Sequence, residues 1–279
     1  MPPTLDEKYA HLRQILEGLE SVAVAFSGGV DSTLVLKVAL DVLDPSHAVA
    51  VTGRSDSLAS AELEQARDVA ASLGAEHVIL DTDEFDNPNY LSNPTNRCYF
   101  CKTTLYTHLE RFIAERGLKA IVNGINVDDL GDFRPGIEAA REHGVRSPAV
   151  EAGLIKSDVR ELSRRLNLPT FDKPASPCLS SRVQYGEHIT PEKLRQIEAA
   201  EAFLHEMGIR QCRVRHHDNV ARIEVPRESF ALLTEPDQAA RIDRYIRSLG
   251  YQYVVLDLRG FRSGSMNEVI PLNLTQLQV

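Results

Sequence analysis

The sequence lacks any uninterrupted run of about 18 apolar residues, the least that a membrane-spanning helix needs. Residues 1–8 also lack the basic stretch and the apolar stretch that together mark a secretory signal. From these absences we expect a cytoplasmic protein with no membrane partner.

An excess of positive charge is missing as well. The 31 lysines and arginines are outnumbered by 40 aspartates and glutamates, which gives a formal net charge of -9 and an isoelectric point near 5.5. A large nucleic-acid surface needs clustered positive charge, so this balance argues against one, although a local basic patch is compatible with it. A small anionic molecule is the partner that we expect.

Cysteine is scarce too, with four in 279 residues. In a cytoplasmic chain of this length, so few cysteines favour metal binding or catalysis over a disulfide framework. The apolar fraction of 43% and the charged fraction of 25% are typical of a globular protein. The length suits a nucleotide-binding domain followed by a smaller second domain.

Short apolar segments alternate with helical segments in the first half of the chain. This order predicts an α/β fold in which a parallel sheet is covered on both faces and the ligand lies at the carboxyl ends of the strands. The predicted strands are 22–26, 48–52, 77–80 and 120–122, and the predicted helices are 32–43, 60–73, 102–115 and 157–166. Polar residues follow the strands at Ser27, 52–57, 81–83 and 123–132, so we expect them to meet at one edge of the sheet.

A segment rich in proline, serine and glycine, 169–186, separates this half from the rest. Thr190 and Pro191 then begin a new helix as its cap and first residue. We therefore predict two domains, 1–186 for nucleotide binding and a smaller α+β domain at 187–279. The elements predicted for the smaller domain are helix 191–207, strands 211–217 and 220–225, helix 236–249 and strand 252–258.

The first predicted strand runs into a turn that reads Ser-Gly-Gly-Val-Asp-Ser. Gly28 and Gly29 let backbone amides turn toward an anion, and the positive end of the next helix dipole points to the same place. Ser27 and Ser32 add hydroxyl donors, and Asp31 can hold Mg²⁺ or cap the helix. The Gly-Lys-Ser/Thr ending of a P-loop is absent. The pattern indicates a loop for the phosphates of ATP, and an ordinary βα turn with polar caps is the alternative.

The cysteines suggest a second kind of site. Cys98 and Cys101 form a Cys-x-x-Cys motif between basic neighbours that favour thiolates, although surface thiols or half of a zinc site would look the same. Cys178 would add a third thiolate if the fold brings it to the pair. Three cysteines suit a [4Fe-4S] cluster with one open iron, and zinc or a redox disulfide are the alternatives. Cys212 is interpreted as a core residue without chemistry.

Several motifs together resemble the LarE family of PP-loop proteins, and they span nearly the whole chain. They are 27–32 (Ser-Gly-Gly-Val-Asp-Ser), 123–129 (Asn-Gly-Ile-Asn-Val-Asp-Asp), 132–136 (Asp-Phe-Arg-Pro-Gly), 180–182 (Ser-Ser-Arg) and 260–264 (Gly-Phe-Arg-Ser-Gly). The resemblance implies a PP-loop domain with the adenine nucleotide alpha hydrolase-like fold, with ATP and Mg²⁺ as cofactors. It places Gly124 in the ATP site and Ser180 in the substrate site.

LarE-type sulfur transferases act in making the nickel-pincer nucleotide cofactor of lactate racemase. The resemblance implies that a carboxylate of pyridinium-3,5-biscarboxylic acid mononucleotide is adenylated and then converted to a thiocarboxylate. One branch of the family uses a single sacrificial cysteine, and another holds a sulfide-delivering [4Fe-4S] cluster with cysteines resembling Cys98, Cys101 and Cys178. With its three cysteines, this sequence resembles the second branch. The single-cysteine pattern has its thiol one place earlier, at Pro177 here, which weakens a sacrificial role for Cys178 but leaves it as an alternative. Homo-oligomers, hexamers by analogy, are also implied.

Three charged residues near these motifs are catalytic candidates. Lys102 and Arg182 are placed to neutralise phosphates or the developing acyl charge, with solvated surface cations as the alternative. Glu201 matches an acidic position of the family, and by itself it would be interpreted as an exposed helix charge.

A predicted hairpin in the second domain carries a possible anion site. With a two-residue turn at 218–219, the facing pairs are His217 with Val220, Arg215 with Arg222 and Arg213 with Glu224. Opposed arginines destabilise a sheet unless an anion lies between them. We therefore expect Arg213, Arg215 and Arg222 to bind the substrate phosphate or its second carboxylate, with Arg262 as a weaker candidate. A solvated basic strand face is the alternative.

Two further groups are weaker candidates for metal ligands. Asp128, Asp129 and Asp132 follow the fourth strand and could ligate Mg²⁺, although acidic loop residues are often only solvated. His216 and His217 are adjacent on a strand, so they face opposite sides and cannot form one metal site.

Three other functions are compatible with parts of this pattern. A tRNA thiolase also combines a PP-loop with three cysteines, but the acidic balance argues against it. An ammonia-using adenylating synthetase would have no use for the cysteines. A non-catalytic nucleotide sensor with a structural zinc is the alternative from another class.

Overall fold

The computed structural model describes residues 2–131, 135–262 and 264–269. The chain forms two compact units, the first made of Met1–Asn87 and Asn96–Ser176 and the second of Pro88–Thr95 and Pro177–Val279. The units divide after residue 176, before the domain boundary predicted after residue 186. The contribution of 88–95 to the second unit has no counterpart in the sequence pattern.

The first unit is built on a four-stranded sheet in the order β3-β2-β1-β4, and its three strand pairs are all parallel. The strands are β1 (Val22–Ala25), β2 (Ala48–Arg54), β3 (Glu76–Asp81) and β4 (Ala120–Val122). The predicted parallel α/β fold is confirmed. The apolar runs form strands because both faces of the sheet are covered, as is usual for parallel sheets.

Helices cover both faces of this sheet. The α-helices of the first unit are α1 (Leu5–Glu17), α2 (Val30–Val42), α3 (Ser60–Ser72), α5 (Arg97–Arg116), α6 (Pro135–Glu142), α7 (Pro148–Glu151) and α8 (Lys156–Arg165), and the short α4 (Pro88–Leu91) belongs to the second unit. Val22 and Val24 pack with α1, α2 and α8, whereas Ala23 packs with α5 and α6 on the other face. This alternation follows from the period of two along a strand.

The second unit contains a three-stranded sheet in the order β5-β6-β7. Its elements are α9 (Pro191–Glu206), β5 (Arg213–His217), β6 (Val220–Glu224), α10 (Phe230–Thr234), α11 (Pro236–Ser248) and β7 (Tyr253–Leu256). The hairpin of β5 and β6 has the predicted register, with Arg215 opposite Arg222, and β7 pairs parallel to β6. Its core includes Leu204, Val214, Ile223 and Ile246. In the described part of the chain, no helix combines the length and the apolar character that crossing a bilayer requires.

Candidate active site

The turn between β1 and α2 presents backbone amides at the positive end of a helix. Gly29 is the cap of α2 and has no side-chain hydrogen bond to the first turn, so those amides have no capping group. Gly28 has a φ of +64°, and a Cβ on it would lie 2.9 Å from Cα of Ala66 in α3. The Ser27 and Ser32 hydroxyls are hydrogen-bonded across the turn at 3.1 Å. This geometry suits an anion.

Gly124 lies directly against the first turn of α2. A Cβ at this position would be 2.5 Å from the Ser32 nitrogen and 2.8 Å from the Asp31 carbonyl carbon. The loop after β4 can therefore approach α2 only because residue 124 is glycine. The predicted meeting of the loops after β1 and β4 at one edge of the sheet is observed.

We expect Gly124→Ala to lower the free energy of unfolding by about 1–3 kcal/mol and to weaken ATP binding, because the added methyl overlaps backbone rather than a flexible side chain. Urea unfolding and calorimetric titration with ATP measure the two effects. Gly131→Ala is the matched control, since no heavy atom of the described chain lies within 4 Å of its Cβ position. Equal stability of the two variants would contradict the prediction.

Carboxylates gather beside the turn. Asn126 Nδ2 donates to Asp31 Oδ1 at 3.1 Å and to Asp129 Oδ2 at 3.0 Å. Lys156 Nζ forms an ion pair with Asp31, and the Lys156 amide donates to Asp128 Oδ2 at 2.9 Å. Asp31 and Asp129 thus share Asn126 as a hydrogen-bond donor, and Asp128 accepts from the backbone of Lys156. No three such side chains are grouped as metal ligands among the described residues, so binding of Mg²⁺ by these oxygen donors stays a prediction. Asp132, the other predicted ligand, lies outside the described residues.

Two lysines in this region belong to none of the sequence motifs. Lys156 neutralises Asp31, and Lys173 donates through Nζ to the Gly28 carbonyl at 3.2 Å and to Glu62 Oε2 at 2.8 Å. All three partners of these ammonium groups are more than 100 positions away along the chain. No local pattern could have indicated these contacts.

The Cys-x-x-Cys motif lies in the first turn of α5. Cys98 is exposed and Cys101 is half-buried, and Arg97 Nη2 lies 4.0 Å from the Cys98 sulfur. The Lys102 side chain lies against the first turn of α6, where a Cβ added to Gly136 would be only 2.9 Å from Lys102 Cγ. The helix begins at Arg97, five residues before the predicted start at residue 102.

The third predicted cluster ligand, Cys178, belongs to the second unit and is half-buried. Across the described ranges, no three His, Cys, Asp or Glu side chains are grouped as metal ligands. The assignment of Cys98, Cys101 and Cys178 to one metal centre therefore stays a prediction. Thiolates remain the donor set that iron–sulfur clusters and zinc prefer.

A buried ion pair contacts the backbone of the loop that contains Cys178. Arg182 Nε and Nη2 donate to the two Glu201 oxygens at 3.0 Å each, and the side chains are only 3% and 9% exposed. Arg182 Nη1 also donates to the carbonyls of Pro177 and Cys178, the latter at 3.0 Å. Burial opposes the charge of Arg182, but Glu201 outweighs it and holds its pKa above the usual value. The alternatives of a surface cation for Arg182 and an exposed charge for Glu201 are wrong.

Glu201 has a second contact, since its Oε1 accepts the backbone amide of Val214 in β5 at 2.9 Å. Ser180, two residues after Cys178, is fully buried, and its hydroxyl lies 2.6 Å from the hydroxyl of Tyr90 in α4. Tyr90 of α4 and Glu201 of α9 thus hold the side chains of Ser180 and Arg182, and Arg215 of β5 donates to the Ser181 carbonyl at 3.1 Å.

The two opposed arginines of the hairpin have an internal counterion. Glu224, fully buried on β6, accepts from Arg215 Nη2 at 2.9 Å and pairs with Arg222 Nη2 at 3.1 Å. Ser265 donates to Glu224 at 2.8 Å, and Asp257 pairs with Arg222 at 2.7 Å. The repulsion that suggested a bound anion is therefore offset within the chain. Binding of a substrate anion by Arg215 and Arg222 stays a prediction.

The other predicted arginines also contact groups within the chain. Arg213 and Arg215 are 8% and 6% exposed, so the alternative of a solvated basic face is wrong. Arg213 stacks 5.3 Å from the centre of the Phe261 ring, and burial beside Arg182 lowers its pKa. Arg262 donates to Asp257 and Glu268. Ser263 of the Gly-Phe-Arg-Ser-Gly motif lies outside the described residues.

Cys212 is a core residue, as predicted. It is fully buried in the core of the second unit, and burial, with the nearby charge of Glu201, raises its pKa to about 12. A thiol with so high a pKa stays protonated at neutral pH and cannot act as a nucleophile.

We therefore expect Cys212 to resist iodoacetamide in the native protein up to about pH 9, about three units below its pKa. In native protein from which a chelator has removed any bound metal, peptide mass spectrometry should find the exposed Cys98 alkylated under these conditions. The same treatment in guanidinium chloride should modify Cys212, which serves as the control for its detection. Native alkylation of Cys212 as fast as Cys98 would contradict the prediction.

Comparison with known proteins places this site in a family. A family model described as asparagine synthase matches residues 12–96, which contain β1, the turn and α2. The chain is 40% identical to the pyridinium-3,5-bisthiocarboxylic acid mononucleotide synthase of Lactiplantibacillus plantarum over 268 residues, 96% of each chain. The chain belongs to the LarE family.

Other relatives mark the extent of the LarE likeness. The Synechocystis protein slr1717 is 46% identical over 266 residues, covering 95% of this chain and 99% of that one. The tRNA-specific 2-thiouridylase MnmA of Azorhizobium caulinodans is 30% identical over 221 residues, 65% of this chain and 55% of the thiouridylase. The likeness to the LarE-type synthase thus includes the second unit, whereas the likeness to the thiouridylase is partial.

Proposed function

We propose that the protein is an ATP-dependent sulfur transferase that makes a thiocarboxylate from a carboxylate of pyridinium-3,5-biscarboxylic acid mononucleotide. The product would serve the nickel-pincer cofactor of lactate racemase. The observation that carries the proposal is an uncapped glycine turn at the start of α2, in a chain 40% identical to the named synthase over 96% of its length.

The reaction needs activation because a carboxylate has no good leaving group. A substrate oxygen attacks the α-phosphorus of ATP, pyrophosphate departs, and an acyl adenylate remains. A sulfur nucleophile then attacks the acyl carbon, and AMP departs with the former carboxylate oxygen. The two steps release one AMP and one pyrophosphate for each sulfur transferred.

The first unit would supply the activation step. Ser27, Gly28, Gly29 and Ser32 would hold the phosphates through amides and hydroxyls. Asp31, with the neighbouring Asp128 and Asp129, would hold Mg²⁺, whose charge stabilises the departing pyrophosphate. Lys102 would add positive charge toward the acyl phosphate.

The sulfur would come through the cysteines. Cys98, Cys101 and Cys178 would hold a [4Fe-4S] cluster, which supplies an open iron for a transferable sulfide. In this proposal Arg182 and Glu201 fix the backbone of Cys178, consistent with their contacts to its carbonyl and to each other. Arg213, Arg215, Arg222, Arg262 and Ser180 would bind the phosphate and the second carboxylate of the substrate.

The direct test combines metal analysis with product analysis. Protein purified without oxygen should contain iron and acid-labile sulfide, and with ATP, Mg²⁺ and the pyridinium nucleotide it should release AMP and pyrophosphate. Mass spectrometry should show one oxygen of the substrate exchanged for sulfur. Zinc without iron or sulfide, together with no pyrophosphate release, would favour a nucleotide sensor. We also propose a cytoplasmic homo-oligomer, which sizing in the same buffer would test.

A second candidate is a tRNA thiolase, favoured by the 30% identity to the 2-thiouridylase. The match covers only 55% of the thiouridylase, so nearly half of that protein has no counterpart here. The net charge of -9 also argues against a large RNA-binding surface. Thiolation of tRNA without activity on the pyridinium nucleotide would reverse the ranking.

A further inference from the structure

We propose that Lys173 is a positioning residue that couples nucleotide binding to the backbone segment 171–176, which leads directly to Cys178. The inference rests on the proposed function, because it takes the triphosphate of ATP as the ligand of the turn before α2. It adds a residue and a coupling that the motifs do not contain.

Lys173 joins three parts of the first unit through one ammonium group. Its Nζ donates to the Gly28 carbonyl at 3.2 Å and to Glu62 Oε2, in the first turn of α3, at 2.8 Å. Only 10% of the side chain is exposed. Gly28 is itself pressed against Ala66 of α3. Movement of the Gly28 turn therefore moves the partners of Lys173.

The backbone of the segment is held separately. Arg160 of α8 donates through Nη1 to the Phe171 carbonyl at 2.8 Å and through Nη2 to the Lys173 carbonyl at 3.1 Å. These bonds do not involve the Gly28 turn. The chain thus has one tether that reaches the phosphate-binding turn and one that does not.

The ammonium group of Lys173 is suited to respond to a triphosphate bound at the Gly28 turn. An ammonium has three donors, and two are used on Gly28 and Glu62; among described residues the third has no partner. A polyanion at the Gly28 turn attracts this charge and favours the position that Lys173 already occupies. The coupling is reciprocal. If bound ATP stabilises segment 171–176 through Lys173, then ATP binds more tightly to a protein in which Lys173 can make these contacts.

The experiment compares Lys173→Met with Arg160→Met by hydrogen–deuterium exchange of peptides covering 171–176, with and without ATP and Mg²⁺. In the wild type, ATP should slow exchange of this segment. Lys173→Met should lose that ATP-dependent difference and bind ATP about tenfold more weakly, about 1.4 kcal/mol. Arg160→Met should exchange faster in both states but keep the ATP-dependent difference and the ATP affinity.

Lys37→Met is the control, since Lys37 forms an ion pair with Asp41, one turn along α2, and no other among the residues that the structure describes. It should match the wild type in exchange and in affinity. If the wild-type segment shows no response to ATP, or Lys173→Met keeps the response, the inference is wrong. Thiocarboxylate formation by the wild type would leave the proposed function standing in that case, whereas absence of any ATP binding would overturn both.

Discussion

Replacement of Cys178 by alanine is expected to reduce thiocarboxylate formation by roughly 10³-fold or more, the scale on which enzymes lose activity when a reacting group is removed. Pyrophosphate release should continue, because the glycine turn and the carboxylates proposed to activate the substrate belong to the first unit. The two products would be measured in one anaerobic reaction, pyrophosphate by a coupled assay and thiocarboxylate by mass spectrometry.

Variants of Cys98 and Cys101 distinguish two roles for Cys178, cluster ligand or sacrificial sulfur donor. If the three cysteines hold a cluster, Cys98→Ala and Cys101→Ala should lose thiocarboxylate formation together with the iron. If Cys178 is a sacrificial donor, both variants should retain one turnover, and the wild-type protein should lose the mass of hydrogen sulfide. Cys212→Ala is the matched control, because Cys212 is buried and protonated at neutral pH. Full product formation by Cys178→Ala would contradict any role of its sulfur.

The parts of the fold that were predictable depend on local patterns. The sheet of the first unit follows from apolar runs that alternate with amphipathic segments. The register of the hairpin follows from the two-residue turn at 218–219, in which Asp218 adopts a φ of +52°. Gly124 was assigned from a motif, and the structure gives the physical reason for glycine there.

The parts that were not predictable depend on the directions that side chains take or on residues far apart in the chain. Glu224 was expected to face Arg213, but its carboxylate also reaches diagonally across to Arg215 on β5 and along β6 to Arg222. Contacts such as Lys173 with Gly28 join residues 145 positions apart. Sequence spacing contains no information on such pairs.

Glu201 is an intermediate case, because a local signal was present. The buried residues Leu194, Ile197 and Leu204 of α9 define an apolar stripe, and Glu201 lies on it, four residues after Ile197 and three before Leu204. A charge on an apolar stripe predicts a buried partner. Its distant partner, Arg182, could not be found by spacing alone.

The second large effect is therefore expected at this ion pair. Glu201→Ala should lower the free energy of unfolding by about 3–5 kcal/mol, because it leaves Arg182 buried without a counterion. The Val214 amide would also lose its acceptor. Urea unfolding measures the change, and Glu206→Ala, at an exposed position of the same helix, should stay within about 0.5 kcal/mol of the wild type.

A double variant separates stability from positioning. Arg182→Met with Glu201→Leu removes both buried charges and should recover the stability lost to the unpaired charge, since apolar side chains of similar volume often replace a buried ion pair at little cost. The Val214 amide still lacks its acceptor, so recovery should be incomplete. It should not recover sulfur transfer, because methionine cannot donate to the carbonyls of Pro177 and Cys178. A stable double variant with wild-type transfer would mean that the pair serves folding alone. Glu201→Ala as stable as Glu206→Ala would mean that the buried charge is compensated elsewhere.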